Sequence, residues 1–300
     1  MELLIIVMLV LGAAAADSGS EENRVIGGKP CIVGSRPFQA ALVINKHIYC
    51  GGSLVHPKWV LTATQCLSLL KSVKVHLGDY SLEKTEGTEQ IRSIRNSFVH
   101  PGYNRHTFDN DFMLLELDRP VEINSNVRTI KLATSCPIPD TQCSLSGWGT
   151  TSSPKKNFPK YLQCADIPTI SQNKCKATYG SLITENVFCA GVEKGGKDSC
   201  YGDSGGPLVC NGQLQGVVSW GNTVCGLPRQ PGVYANVCKA AKWQKKGVHD
   251  DELVFHTFHE EERSTGVAAA KSFFPNGSLP VVHISSNPSI EIPPENKLVF

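Results

Sequence analysis

The chain has no excess of charge of one sign: 29 Lys and Arg stand against 27 Asp and Glu over 300 residues, a formal net charge of +2. That balance removes the electrostatic case for nucleic acid or a charged membrane surface as partner. After residue 16 no apolar run reaches the ~20 residues that a transmembrane helix needs. Helical periodicity is scarce between Val25 and Cys238, and no cysteine or histidine cluster has the tight spacing of a zinc site. The length allows one large domain or two small ones with a sizeable core.

Cysteine, by contrast, is plentiful. Twelve are spread from Cys31 to Cys238. An even number dispersed in this way reads as a disulfide framework formed in an oxidising compartment, although spacing alone leaves the connectivity open. The amino-terminal residues agree. An apolar run, Leu3 to Leu11, is followed by small residues in which Ala14 and Ala16 fit a cleavage rule. The run is too short to span a bilayer, so residues 1–16 are expected to be a signal peptide and the protein to be secreted, even though the usual positive flank is reduced to the amino terminus itself. Residues 17–24 are polar and carry no apolar pattern.

Short β signals follow at regular spacing. Phe38 to Asn45 is a largely apolar strand. Val73, Val75 and Leu77 alternate with Lys74 and His76, and Met113 to Leu115 is a buried run. Pro207 to Cys210 and Gln213 to Trp220 flank Asn211-Gly212, the signature of a tight hairpin. The expectation is an all-β barrel or sandwich. From residue 244 onward cysteine disappears, and beyond Pro275 proline, serine and asparagine predominate. Residues 244–300 are therefore expected to be a poorly ordered tail. The tail holds one glycosylation sequon at Asn276 and a helix-spaced pair, His256 and His259, that reads more readily as a solvated face than as a metal site.

The segment Asp198-Ser199-Cys200-Tyr201-Gly202-Asp203-Ser204-Gly205-Gly206-Pro207 carries the chemistry. Glycines around a serine let the backbone turn sharply and aim N–H groups at one point, as an oxyanion hole requires. Read with Arg24-Val25-Ile26-Gly27-Gly28, Leu61-Thr62-Ala63-Thr64-Gln65-Cys66, Asp109-Asn110-Asp111-Phe112, Ser146-Gly147-Trp148-Gly149 and Val218-Ser219-Trp220-Gly221, it resembles the chymotrypsin-like serine proteases, trypsin and tissue kallikreins in particular. The resemblance covers residues 25–243. It implies two six-stranded antiparallel β-barrels with the active-site cleft between them.

By the same resemblance, Ser204 is the nucleophile, Asp111 the orienting carboxylate, and the amides of Gly202 and Ser204 the oxyanion hole. Asp198 lies at the base of the specificity pocket with Gly221 and Gly232 on its walls, which implies selection of Arg or Lys. Cleavage after Arg24 frees the amino group of Val25 to pair with Asp203, so residues 17–24 are an activation peptide. The implied disulfides are Cys31–Cys164, Cys50–Cys66, Cys136–Cys238, Cys143–Cys210, Cys175–Cys189 and Cys200–Cys225. Implied partners are protein or peptide substrates and pseudosubstrates with exposed Arg or Lys, protein protease inhibitors and an activating protease. No cofactor is required. Asp79, Glu86 and Glu89 fall in a loop that binds calcium in some trypsins; that site is weighed against an ordinary acidic surface loop.

Two departures stand out. Where the family carries Ala-Ala-His-Cys this chain reads Ala63-Thr64-Gln65-Cys66. A carboxamide does not titrate near neutral pH, so Gln65 is able to hydrogen-bond Ser204 but not to accept its proton. His47, His56, His76, His100 and His106 read as structural or surface residues, His106 being the nearest in sequence to Asp111. The second departure is Gln244-Lys245-Lys246-Gly247, which replaces the apolar start of the family's terminal helix and puts that helix in doubt. The leading expectation is a protease homologue, inactive or severely impaired, with a binding or decoy role. The alternative is a working endopeptidase cleaving after Arg or Lys, either assisted by a substrate histidine or with Gln65 as a sequence variant.

Overall fold

The computed structural model describes residues 25–244 and 298–299. The expected signal peptide, the activation peptide with Arg24, and Asn276, His256 and His259 lie outside the described residues.

The first barrel closes in the order β2-β3-β4-β7-β6-β5. Its strands are β2 (Gln39–Ile44), β3 (His47–His56), β4 (Trp59–Thr62), β5 (Lys74–Leu77), β6 (Gln90–Val99) and β7 (Met113–Leu117). The alternation read from the sequence is realised in β5, where Val75 and Leu77 are buried and Lys74 is exposed. Strand β2 is buried along most of its length, as its continuous apolar run demands.

The second barrel comprises β8 (Gln142–Gly147), β9 (Gln163–Ile170), β10 (Val187–Ala190), β11 (Pro207–Cys210), β12 (Gln213–Gly221) and β13 (Gly232–Asn236). Strand β8 pairs with both β9 and β11, which closes the ring β8-β9-β10-β13-β12-β11. A short strand β1 (Lys29–Pro30) lies on β9. Asn211 and Gly212 both have positive φ, 52° and 73°, so the expected tight turn joins β11 to β12. The fold is thus the expected pair of six-stranded antiparallel barrels.

Helix α1 (Gln172–Tyr179) is capped by Ser171, whose Oγ accepts the Lys174 N–H at 3.3 Å. Helix α2 spans Val237–Gln244. The terminal helix that the sequence put in doubt is thus present as far as Gln244. The helix begins at Val237, upstream of the altered Lys245-Lys246-Gly247, and it is anchored by buried Val237, Cys238 and Ala240 and by the Cys136–Cys238 disulfide. Within residues 244–300, expected to be a poorly ordered tail, Leu298–Val299 form strand β14 on β12.

All six disulfides join the expected partners. In the chain-entropy account each removes about 3–5 kcal/mol of unfolded-state freedom, the longer loops the most. The Cys50–Cys66 bond fastens β3 to the 3₁₀ turn Thr64–Ser72, and so fixes the backbone beside Gln65.

Candidate active site

The site lies at the seam between the barrels. Gln65, at the start of the turn after β4, and Asp111, just before β7, come from the first barrel. Ser204, in the loop before β11, and Ser219, on β12, come from the second. The loop around Ser204 is held by backbone bonds: Gly51 N–H donates to Ser204 O at 2.7 Å, Gly205 N–H to Val218 O at 2.8 Å, and Val218 N–H to Gly206 O at 3.0 Å. Gly205 has φ +79°, and a Cβ there would lie 2.1 Å from Thr62 Oγ1 and 2.6 Å from Gly51 O. Only glycine fits this turn between the barrels. Gly202 has φ +93°, and neither its N–H nor that of Ser204 reaches a backbone acceptor among the described residues. These are the two donors expected for an oxyanion hole.

Asp111 is fully buried. Its carboxylate accepts the Gln65 backbone N–H at 3.2 Å, Gln65 Nε2 at 3.0 Å and Ser219 Oγ at 2.6 Å. Burial pushes its pKa up to about 6, against the downward pull of the bonds from Ser219 and Gln65. Gln65 Nε2 also donates to Ser219 O, while Gln65 Oε1 accepts from Ser204 Oγ at 3.5 Å. The carboxamide therefore spans the gap with its donor end on the carboxylate and its acceptor end on the serine hydroxyl. The polarity of the chain Ser204–Gln65–Asp111 is the one that a neutral base would adopt. What the carboxamide cannot do is hold the proton it is offered.

None of the described histidines hydrogen-bonds to Ser204 or Asp111 among the described residues. His56 Nδ1 accepts Lys58 N–H at 3.2 Å, His76 Nδ1 meets Asp79 at 2.9 Å, and His100 Nδ1 accepts Gly102 N–H at 3.1 Å.

Asp198 is buried behind the loop. One carboxylate oxygen accepts Gly226 N–H at 2.9 Å, and the other has no hydrogen-bond partner. A Cβ on Gly232 would lie 2.8 Å from that unpartnered oxygen, so the glycine keeps the approach open. Burial raises the Asp198 pKa to about 7, opposed by the Gly226 and Ser199 amides and reinforced by the charge of Asp203. Gly221 ends β12, one step beyond Trp220, which pairs with Val233 next to Gly232. Asp203 is also buried, accepts Gly149 N–H at 2.9 Å and Cys200 N–H at 3.0 Å, and is likewise pushed up to about 7 by burial. Val25 is buried in the same apolar cluster as Cys200, and the next carbonyl, Ile26 O, accepts the Asp198 N–H at 3.2 Å. The first described residues are thus packed against the pocket floor.

Of the two readings of Asp79, Glu86 and Glu89, the hydrogen bonds favour the acidic surface loop. Glu86 caps the Tyr80 and Ser81 amides, Glu89 accepts from Glu86 and Gly87, and Asp79 faces His76. The carboxylates are turned to the loop's own N–H groups, and no cluster of three metal-ligating side chains is present among the described residues. Ser219 was the residue to which sequence reading gave no role. It stood inside a quoted motif, but only the fold brings it to Asp111, 108 positions earlier.

The trypsin family model matches residues 25–244. Human kallikrein-14 is 45% identical over 252 residues, covering 83% of this chain and 94% of its own length. Dog anionic trypsin is 44% identical over 239 residues, covering 80% and 95%. Among solved structures, neuropsin, a serine protease expressed in the limbic system of mouse brain, superposes with a TM-score of 0.69 at 44% identity, covering 73% of this chain and 97% of its own.

Proposed function

The chain belongs to the trypsin family of serine proteases, and from that premise we propose that it is a secreted homologue that recognises Arg or Lys side chains but cleaves beside them extremely slowly or not at all. The observation that carries this reading is the Gln65 carboxamide, set between Ser204 Oγ and Asp111. Gln65 takes the place of the general base. In acyl transfer that base removes the serine proton as Oγ attacks the carbonyl and returns it to the leaving amine. A carboxamide offers a hydrogen bond at the first step and nothing at the second.

The remaining parts support binding. The free oxygen of Asp198, buried and unpaired, gives a guanidinium or ammonium a strong partner, and binding such a cation draws the Asp198 pKa back down. The open amides of Gly202 and Ser204 suit a carbonyl oxygen. Val25 shares a buried cluster with Cys200, whose N–H donates to Asp203, and an ammonium freed at Val25 by cleavage after Arg24 is the partner proposed for that carboxylate. Leaving such a charge unpaired costs about 3–5 kcal/mol, enough to couple cleavage to ordering of the pocket. Inhibitor loops, pseudosubstrates and partner proteases presenting Arg or Lys are the ligands this suits.

The test compares hydrolysis of Arg and Lys esters and amides by protein cleaved after Arg24 with that of Gln65→His. The expected rescue in turnover is about 10⁵–10⁶-fold, the scale of loss when a serine hydrolase is deprived of its histidine. Equal and high activity in both forms overturns the reading.

A further inference from the structure

Strand β14 pairs antiparallel with β12, Val299 opposite Trp220 and Leu298 opposite Gly221. Strand β11 covers β12 only as far as Val217, and the loop before it makes its last contacts at Val218 through Gly205 and Gly206. On its other side β12 continues against β13, with Trp220 opposite Val233. From Ser219 to Gly221, then, one edge of β12 is left open by the barrel, and β14 lies on it. This edge starts at the residue that holds both Asp111 and Gln65, and ends at Gly221, one step beyond the pair of Trp220 with Val233, whose chain neighbour Gly232 faces the Asp198 oxygen. A peptide that places a basic side chain on Asp198 and a carbonyl at Ser204 must run along it. Open sheet edges capture extended chains through their unpaired N–H and C=O groups.

We propose that residues 298–299 are a built-in competitor strand, which occupies this edge and excludes extended peptides and inhibitor loops until it is displaced. The antiparallel register carries the chain from Gly221 toward Ser219, so the segment advances on Ser204 along the path of a substrate. Backbone pairing with β12 holds the strand, and a small basic ligand on Asp198 needs no sheet edge to bind. The proposal rests on the reading that Asp198 binds basic groups, and its test separates the two.

The full chain, cleaved after Arg24, is compared with Leu298→Pro/Val299→Pro, which removes both backbone donors. Three quantities are read: amide exchange at Trp220 and Gly221, affinity for benzamidine, and affinity for a protein inhibitor that presents Lys on an extended loop. The double variant is expected to exchange at least one of the two amides about tenfold faster, to bind the inhibitor about tenfold more tightly or better, and to bind benzamidine within about twofold of the parent. Unchanged exchange overturns the proposal. So does unchanged inhibitor affinity while benzamidine still binds. Failure of benzamidine to bind either form sinks the pocket reading instead, and the exchange rates then decide the strand pairing alone.

Discussion

The two barrels contribute unequal halves to the site. The second supplies Ser204, the amides of Gly202 and Ser204, Ser219 and the buried Asp198 with its unpartnered oxygen. These are groups that bind, polarise and orient. The first supplies Asp111 and Gln65, the pair through which a proton would have to leave the serine. Both halves are held in place by hydrogen bonds within the fold, so the difference between them is not one of order. It is one of titration: a carboxamide preserves the shape of a hydrogen-bonded chain while interrupting its proton transfer. On the proposed reading, recognition and catalysis share one cleft and are separable by a single side chain.

The largest effect that would break this comparison concerns Asp111. In the Gln65→His background, Asp111→Asn should lower turnover of an Arg ester by about 10⁴-fold, because the imidazole loses its orienting carboxylate. In the parent chain the same substitution should change residual hydrolysis by no more than a few-fold, there being no base to orient. A loss of about 10⁴ in the parent would show that Gln65 and Asp111 carry catalysis after all.

Next in size, Asp198→Asn should weaken benzamidine binding by about 10²–10³-fold, since a desolvated charge pair is lost. The loss should be the same with Gln or His at position 65, and titration calorimetry of both backgrounds checks it. A dependence on residue 65 would mean that the two halves are coupled.

pH sharpens the same contrast. Asp198 must be ionised to hold a cation, and its free-state pKa is pushed up to about 7. Benzamidine affinity should therefore rise about tenfold per unit as pH approaches 7 from below and level off above it. Stability runs the opposite way. Asp198 and Asp203 have folded pKa values raised to about 7, above the ordinary carboxylate range of the unfolded chain. Between about pH 4 and 7 the native state binds more protons than the unfolded one, so its stability falls as pH rises through this window and is flat above it. Calorimetric melting of the uncleaved chain should show this slope, a few kcal/mol in all, and cleavage after Arg24 should reduce it by giving Asp203 an ammonium partner.

The smallest expected effect is at the acidic loop of the first barrel. With Glu86 and Glu89 turned onto backbone amides and Asp79 on His76, millimolar calcium should move the melting temperature by less than about 1 °C, as a site of negligible affinity gives no linkage. A rise of several degrees would restore the calcium site.

How much of this was legible beforehand depends on how local the cause is. The Asn211-Gly212 turn and the alternation of Val75 and Leu77 involve neighbours within a few residues, where backbone preference and side-chain periodicity act directly. The family motifs pointed to the barrels, the serine loop and the disulfide partners. The doubt over the terminal helix arose at residues 244–247, whereas Val237, Cys238 and Ala240, packed at its beginning, anchor it. The acidic loop was left between a calcium site and an ordinary surface loop, because the sequence records which carboxylates are present but not which N–H groups they face.

By itself the sequence determined an all-β chain with twelve cysteines, a glycine-bounded serine and a position 65 that holds a carboxamide. Only the tertiary structure decided what that carboxamide does. Its partners Asp111, Ser204 and Ser219 lie 46, 139 and 154 positions away, and they meet because two closed barrels press their loops into one seam. The same is true of Leu298–Val299, which have no local reason to form a strand and find one on the uncovered edge of β12. Contacts at such separation are set by which surfaces the folded barrels leave open, and no window of sequence contains that information.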